Sequence, residues 1–204
     1  MLRCFIFGAL PVDEMPERPA EYDYIIAADK GYDIAQTLGV QPDMVVGDFD
    51  SRGEAPDFAN VVKLNVRKDD TDVGFAVKMA NERGYRDLVI YGAVGGKLDH
   101  TFANIQIASD IVRGGGSVIF YGQQNMTVIR NGVFTLPAQE SGRISVFALS
   151  KQARRVNISG LSYELKGATL TRYFPLGVSN AFIGKPARIS VGDGELLIIW
   201  ENTP

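Results

Sequence analysis

The sequence contains one cysteine, one histidine and one tryptophan, which are Cys4, His100 and Trp200. A single cysteine cannot form an internal disulfide, and this fits a reducing cytosol better than a secreted scaffold. Long apolar runs are also missing, because no stretch approaches the roughly 18 residues that span a bilayer. The apolar stretch 2–10 is followed by Pro11 and acidic residues instead of a cleavage site. We therefore expect a soluble, cytoplasmic protein with no membrane partner.

An excess of charge of one sign is missing as well. The 204 residues include 21 lysines and arginines and 24 aspartates and glutamates, a formal net charge of −3, so we expect no nucleic-acid partner.

The composition, with 46% apolar residues, is that of one large or two small globular domains. Residues 1–122 hold 12 basic and 19 acidic residues, whereas 123–204 hold 9 and 5. This asymmetry predicts two domains with different tasks.

Residues 1–122 are predicted to form an α/β domain. Short apolar runs typical of buried parallel strands recur along them, at 2–7, 24–28, 44–46, 61–64, 88–91 and 118–121. One helix is indicated between Thr71 and Gly84, and a second carries an apolar stripe of Leu98, Phe102, Ile105 and Val112. Alternating strands and helices favour a Rossmann-like parallel sheet covered on both faces.

Residues 123–204 are predicted to form a smaller, all-β domain. Their β-type segments are 126–130, 143–149, 154–158, 168–173, 187–191 and 196–200. Asn131-Gly132 and Gly192-Asp193-Gly194 are hairpin signals. We expect an antiparallel β-sandwich of roughly 80 residues, which is near the lower limit for independent folding. We therefore expect it to be stabilised by contact with the first domain or with a partner chain.

Carboxylates follow four successive predicted strands of the first domain. They are Asp29; Asp48 and Asp50; Asp69, Asp70 and Asp72; and Asp99. Ligands of open α/β sheets bind beyond the carboxyl ends of the strands. One aspartate alone is commonly a turn or capping residue, and Asp70 is interpreted as a solvated neighbour. Converging carboxylates, however, repel one another unless a cation neutralises them. A cluster that offers only oxygen ligands favours Mg²⁺, which proteins usually share with substrate phosphates. The cluster therefore predicts a nucleotide site.

The glycine-rich segment 92–97 lies between a predicted strand and a predicted helix. It departs from the strict phosphate-loop pattern, because Tyr91 stands where a glycine is required and Leu98 where Ser or Thr is required. Two interpretations stay open: a plain tight turn, or a turn that receives a phosphate at a helix N-terminus with Lys97 adding charge.

The start of the second predicted helix carries further polar residues. His100 is interpreted as a structural hydrogen-bonding residue, or as one that orients Asp99 or the nucleotide, and not as the general base. Asn104 lies one turn later on the same face. Thr71, at the start of the first predicted helix, is interpreted as a helix cap or a phosphate contact.

Three motifs, in their order and spacing, closely resemble the signature of the thiamine pyrophosphokinase family. They are Gly47-Asp48-Phe49-Asp50-Ser51, Lys68-Asp69-Asp70-Thr71-Asp72 and Gly95-Gly96-Lys97-Leu98-Asp99-His100. The likeness extends to Ala28-Asp29-Lys30-Gly31 and to Gly177-Val178-Ser179-Asn180, which resembles the thiamine-contacting segment. The sequence departs from the family at Lys30, where a glycine is usual, and at Lys97, where an arginine is usual. Lysine keeps the positive charge, but it lacks the paired N–H groups with which an arginine guanidinium binds a phosphate in two places.

The resemblance implies that ATP and Mg²⁺ bind the α/β domain, and that a pyrophosphoryl group passes to the hydroxyl group of thiamine, giving thiamine diphosphate and AMP. It also implies a homodimer whose active sites lie between the α/β domain of one subunit and the sandwich of the other. The catalytic, Mg²⁺-binding candidates are Asp48, Asp50, Asp69, Asp72 and Asp99. The nucleotide-binding candidates are Asp29, Lys68, Thr71, Gly95, Gly96, Lys97, His100 and Asn104, and the thiamine-binding candidates are Ser179 and Asn180. Which carboxylate accepts the hydroxyl proton stays open.

Three other functions are considered. Asp48-Phe49-Asp50 after an apolar strand is similar to the nucleophile motif of haloacid-dehalogenase-type phosphatases, although that motif expects Thr or Val where Arg52 stands. A pyrophosphokinase for another heterocyclic alcohol, such as a hydroxymethylpterin, would keep the reaction and change the acceptor. A nucleotide-binding regulator would bind Mg-ATP without turnover.

Overall fold

The computed structural model describes residues 2–49, 56–64 and 71–201, which form two compact units. The first unit runs to Ile107 and resumes over Gly115–Gln123. The second comprises Ala108–Gly114 and the residues from Gln124 onward. The predicted site residues Asp50, Lys68 and Asp69 lie outside the described residues.

Within the described residues, the first unit contains a parallel sheet of six strands. They are β1 (Cys4–Phe7), β2 (Tyr24–Ala28), β3 (Met44–Gly47), β4 (Val61–Lys63), β5 (Asp87–Tyr91) and β6 (Ser117–Tyr121). Their order is β6-β5-β1-β2-β3-β4, and each neighbouring pair is parallel. All residues of β1 and β3 are buried, as expected where both faces of a sheet are covered. The predicted parallel α/β architecture is therefore confirmed, and its Rossmann-like character stays a prediction.

The helices of the described chain are α1 (Gly31–Thr37), α2 (Asp72–Glu82) and α3 (Leu98–Arg113). Helix α2 begins where predicted, because the Thr71 hydroxyl accepts a hydrogen bond from the N–H of Gly74 at 3.0 Å. Gly84, with φ of +88°, follows its end. None of the helices in the described ranges is long and apolar enough to cross a membrane.

Helix α3 is confirmed, but part of its predicted apolar stripe does not face the core. Leu98 is 84% exposed and Phe102 is 60% exposed. The buried row instead contains Asn104, Ala108 and Ile111. Because each helical residue turns by about 100°, Phe102 and Asn104 lie roughly 200° apart, on opposite sides of the helix.

The second unit contains two groups of antiparallel strands. They are β7 (Asn125–Arg130), β8 (Val133–Leu136), β9 (Arg143–Ala148), β10 (Gln152–Ser159), β11 (Leu165–Thr171), β12 (Gly177–Ala181), β13 (Ala187–Ser190) and β14 (Glu195–Trp200). One group pairs in the order β12-β9-β14-β7 and the other in the order β11-β10-β13-β8. The ring of Phe134 in the second group lies 5.3 Å from that of Trp200 in the first, so the two groups contact each other through these side chains. The second group is a separate antiparallel sheet, and the sandwich arrangement stays a prediction. Trp200 is buried, at 3% exposure.

Both hairpin predictions are wrong. Asn131-Gly132 joins β7 to β8, and 192–194 joins β13 to β14, but in each case the joined strands belong to different groups. Asn131 and Gly194 do adopt positive φ, at 47° and 105°. The turn residues therefore provide the expected backbone conformation, but for a crossing between two sheets rather than for a tight hairpin.

A buried carboxylate, Glu195, anchors the segment 108–114 within the second unit. Its side chain accepts hydrogen bonds from Arg113 Nε at 2.6 Å, Arg113 Nη2 at 3.0 Å and Ser109 Oγ at 2.6 Å. Arg130 Nε lies 3.5 Å away. Burial raises the pKa of this carboxyl group, but the bonds from Arg113 and Ser109 outweigh burial and hold the pKa below its usual value.

We expect Glu195→Gln to lower the free energy of unfolding at pH 7 by roughly 1–2 kcal/mol, since it loses charge-assisted hydrogen bonds while Arg113 stays hydrated. The pKa of Glu195 is lower in the folded chain than in the unfolded chain. The ionised carboxylate therefore stabilises the fold fully at pH values above the unfolded pKa, and this stabilisation is lost as the pH falls through the folded pKa. Urea unfolding at pH 7 and pH 4 checks this, with Asp193→Asn, an exposed carboxylate, as control. A difference between wild type and Glu195→Gln that did not shrink in acid would contradict it.

Candidate functional site

The strand order places a reversal between β1 and β5. From β1 the chain adds strands on one side up to β4, and it then adds β5 and β6 on the other side. Because all six strands are parallel, the loops that follow them lie along one edge of the sheet. Ligands of such sheets bind at this edge, where the order reverses. The loops at that point begin at Gly8 and Gly92.

The backbones of these two loops touch. The N–H of Gly8 donates to the Tyr91 carbonyl at 2.7 Å, and the N–H of Leu10 donates to the Gly92 carbonyl at 2.9 Å. A Cβ atom on Gly8 would lie 2.6 Å from the Gly92 carbonyl oxygen, and one on Gly92 would lie 2.4 Å from that of Leu10. Larger residues would push the loops apart, so glycine is required at both positions.

The glycine-rich loop has a buried base and an exposed tip. Its base, Gly92 to Val94, is buried, whereas Gly95, Gly96 and Lys97 are exposed. Asn104, 3% exposed, supports the base, because its Nδ2 donates to the Ala93 carbonyl at 2.6 Å. Among the described residues, Asn104 Oδ1 has no hydrogen-bond partner. The amide of Asn104 thus holds the loop, and its predicted nucleotide contact stays a prediction.

The tip leads directly into α3. Gly95, Gly96 and the exposed Lys97 directly precede the first residue of a 16-residue helix, and backbone N–H groups at a helix N-terminus suit an anion. Asp99 and His100 are exposed in the first turn. Asp99 Oδ1 accepts a hydrogen bond from the backbone N–H of His100 at 2.9 Å. The His100 backbone, and not its imidazole, is therefore the group seen to orient Asp99.

Two more predicted residues lie at adjacent strand ends. Asp29 follows β2, is 8% exposed and donates its N–H to the Val46 carbonyl at 2.7 Å. A Cβ atom on Gly47 would lie 3.1 Å from Asp29 Cα, and Asp48 comes next along the chain. Asp29 and Phe49 have φ of 49° and 59°, in the left-handed region. Such conformations in residues other than glycine concentrate at functional sites.

The predicted five-member carboxylate set is described only in part. Asp48 follows β3, Asp72 opens α2 and Asp99 lies in the first turn of α3, all in connections that leave the carboxyl edge. In the ranges that the structure covers, no group of three or more His, Cys, Asp or Glu could hold a metal ion. Since Asp50 and Asp69 fall outside those ranges, the Mg²⁺ ligand set stays a prediction.

The second unit has a cavity of about 380 Å³. Its lining residues are Ile158, Ser162, Tyr163, Glu164, Leu165, Leu176, Gly177, Val178 and Asn180. Asn180 is 5% exposed, and its amide binds the backbone of Tyr163, accepting at 2.9 Å and donating at 2.7 Å. Ser179, with φ of 57°, is exposed and is not among these lining residues. Asn180 therefore holds the cavity wall, and thiamine contacts of Ser179 and Asn180 stay predictions.

Tyr163 and Glu164 are cavity residues that the sequence did not identify. Tyr163 is an exposed aromatic residue, and Glu164 is the acidic member of the lining, with Oε1 accepting from the N–H of Gly160 at 2.9 Å. They precede β11 in a short stretch without hydrophobic periodicity. Their residue types are a usable signal, because thiamine, the substrate that the family resemblance implies, is a flat cation and favours an aromatic or acidic wall.

Two family models match most of the chain. The catalytic domain of thiamin pyrophosphokinase matches residues 17–119. The vitamin B1 binding domain of thiamin pyrophosphokinase matches residues 134–196. The glycine-rich loop lies within the first range and the cavity within the second.

Relatives cover nearly the whole chain. The thiamine pyrophosphokinase of Bacillus subtilis (strain 168) is 27% identical over 187 residues, which are 88% of this chain and 87% of the relative. The crystal structure of the Bacillus subtilis enzyme has a TM-score of 0.82 at 25% identity, covering 99% of this chain and 100% of that one. The Geobacillus thermodenitrificans structure, at 24% identity and a TM-score of 0.80, covers 99% and 98% and shows the same fold. The chain therefore belongs to the thiamin pyrophosphokinase family of transferases.

Proposed function

We propose that this chain transfers the pyrophosphoryl group of ATP to the hydroxyl group of thiamine, giving thiamine diphosphate and AMP. One observation carries the proposal: the two regions with ligand-binding geometry fall within the two family matches. The glycine-rich loop at the sheet reversal falls in the catalytic match, and the sandwich cavity falls in the vitamin B1 match.

The reaction exchanges one phosphorus–oxygen bond for another. The thiamine hydroxyl oxygen bonds to the β-phosphorus of ATP, and the bond from that phosphorus to the oxygen bridging the α- and β-phosphates breaks. AMP leaves with the electron pair, and the hydroxyl proton passes to a carboxylate of the site. Such transfers depend mainly on positioning and on stabilising charge on the transferred group. The exposed Lys97 and the N–H groups of Gly95 and Gly96 suit that task.

The donor chemistry at the carboxyl edge fits Mg²⁺. Three of its described acids, Asp48, Asp72 and Asp99, offer only hard oxygen ligands, and Mg²⁺ is usually held by one or two carboxylates together with substrate phosphates. We assign these three, together with Asp50 and Asp69, as its ligands. When bound, the ion would neutralise charge on the phosphates. Lys68 is assigned to the same task.

The nucleotide is proposed to lie along the edge rather than at one point. With neighbouring strands about 4.8 Å apart, the ends of β3 and β5 are separated by about 14 Å. An extended polyphosphate suits such a distance, with Asp29 and Asp48 toward one end and the tip Gly95–Lys97 toward the other. Thr71 and His100 are assigned to the surroundings of the phosphates.

The cavity of the second unit is the proposed thiamine site. Thiamine combines a flat pyrimidine with a cationic thiazolium ring, which favours an aromatic wall and a nearby carboxylate. Tyr163 and Glu164 provide both, and the Asn180 amide holds the Tyr163 backbone in place. We assign Ser179, on the strand that also carries Asn180, to the same substrate.

The assignment of the reaction is tested by measuring AMP formation from Mg-ATP with and without thiamine. We expect AMP and thiamine diphosphate in equal amounts only when thiamine is present. AMP formed faster with a hydroxymethylpterin would favour the other acceptor. Phosphate release from simple phosphoesters without any acceptor would favour a phosphatase.

We expect Asp48→Asn and Asp99→Asn each to lower turnover by about 100-fold or more, because each removes a charge that balances Mg²⁺ and the phosphates. The loss should be largest at limiting Mg²⁺. Asp110→Asn, an exposed carboxylate on α3, is the control and should retain wild-type turnover. Near-normal turnover of Asp48→Asn and Asp99→Asn at limiting Mg²⁺ would show that these residues are not metal ligands.

We expect Glu164→Gln to raise KM for thiamine by about 3- to 10-fold, because a solvent-exposed carboxylate contributes modestly to cation binding. KM for ATP should stay unchanged. Glu140→Gln is the control, and its KM values for thiamine and for ATP should both equal those of the wild type. Steady-state kinetics with each substrate varied in turn measures this. A change in KM for ATP instead of thiamine would refute the assignment of the cavity.

We further propose a homodimer whose active sites each combine the α/β domain of one subunit with the sandwich of its partner. Equal amounts of Asp99→Asn and Glu164→Lys chains, mixed and reassembled, should then recover about a quarter of wild-type turnover, because half of the dimers contain one intact site. Each variant alone should have little activity at thiamine concentrations well below the raised KM, because Glu164→Lys replaces the carboxylate with a cation that repels the substrate. A mixture with no more activity than its components would place both halves of the site in one subunit.

A further inference from the structure

Two buried tyrosines end β5 and β6. Tyr91 and Tyr121 lie opposite each other in the ladder and are 0% and 8% exposed. Their ring centroids are 5.1 Å apart, and Phe7, the last residue of β1, stacks on Tyr91 at 5.5 Å. A row of three stacked rings therefore crosses the sheet where its order reverses.

Both tyrosine hydroxyl groups bind Glu17, in the segment between β1 and β2. The Tyr91 hydroxyl donates to the Glu17 carbonyl at 2.6 Å and accepts from the Glu17 N–H at 3.1 Å. The Tyr121 hydroxyl donates to Glu17 Oε1 at 2.7 Å. Arg3 Nη1 donates to Glu17 Oε2, also at 2.7 Å. We call Glu17, Tyr91 and Tyr121 the clasp.

The same segment contacts the glycine-rich loop at its other end. Besides the bond from Leu10 to Gly92, the Leu10 side chain contacts one side of Gly96, where a Cβ atom would lie 2.9 Å from Leu10 Cδ2. The N–H of Gly92 donates to the Tyr121 carbonyl at 3.0 Å. The segment is therefore held at Leu10 and at Glu17, and both points contact residues from which the loop departs.

We propose that Glu17 and Tyr121 are positioning residues for nucleotide binding, because the clasp keeps Leu10 against Gly96 and so fixes the exposed tip of the loop. The proposal rests on the phosphate-binding function proposed for that tip. Neither side chain needs to touch the nucleotide. A preorganised set of N–H groups binds an anion more tightly, since less conformational entropy is lost on binding. Opening the clasp should therefore weaken nucleotide binding and leave the chemical step unchanged.

The test is Tyr121→Phe, which removes one hydroxyl group and keeps the stacked ring. In the ligand-free chain we expect amide hydrogen exchange at 95–97 to become about 3- to 30-fold faster. KM for Mg-ATP should rise by about 3- to 10-fold with kcat within about two-fold of wild type. Tyr85→Phe is the matched control, because Tyr85 stacks on Tyr24 in the same unit and is not part of the clasp. It should change neither quantity.

A double-mutant cycle with Glu17→Ala tests whether the two side chains act together. If they act through their shared hydrogen bond, Glu17→Ala/Tyr121→Phe raises KM no further than Glu17→Ala alone, whereas additive effects would contradict the clasp. Hydrogen exchange needs no turnover, so an inactive wild type would refute the proposed function and leave this readout intact. A lower unfolding temperature with unchanged exchange at 95–97 and unchanged KM would overturn the proposal.

Discussion

The contact between the backbones that follow β1 and β5 is the constraint on which the first unit depends. The N–H of Gly8 extends the ladder to Tyr91, and Gly8 and Gly92 leave no room for a Cβ atom. The loop after β5 must therefore leave the sheet at the reversal point, and α3 begins a few residues later. The sheet therefore determines where the base of this loop lies, before the chain reaches its exposed tip and the helix.

Many features of the first unit follow from local rules and could be predicted. Strands buried on both faces produce short apolar runs, and a threonine hydroxyl that satisfies the first N–H groups of a helix determines where α2 begins. Other features depend on distant partners. The exposure of Leu98 and Phe102 and the course of the turns at Asn131 and Gly194 follow from which face each element packs against. Hydrophobic spacing within a short window does not contain that information.

Asn104 and Asn180 have structural contacts that the motifs alone do not reveal. Both were predicted as ligand contacts, and in both the amide binds backbone groups, of Ala93 and of Tyr163 respectively. The partners are 11 and 17 residues away along the chain. A motif identifies such an asparagine as belonging to a site, but whether its amide faces a substrate or supports the wall depends on the tertiary fold. The family resemblance identified the function without distinguishing these two tasks.

The burial of Trp200 against Phe134 has a practical consequence. No other indole is present in the sequence, so intrinsic tryptophan fluorescence reports on the interior of the second unit. Far-ultraviolet circular dichroism, in contrast, draws much of its signal from helices, and α1 and α2 belong to the first unit. Following both signals during denaturation would distinguish cooperative melting of the whole chain from stepwise melting of its parts.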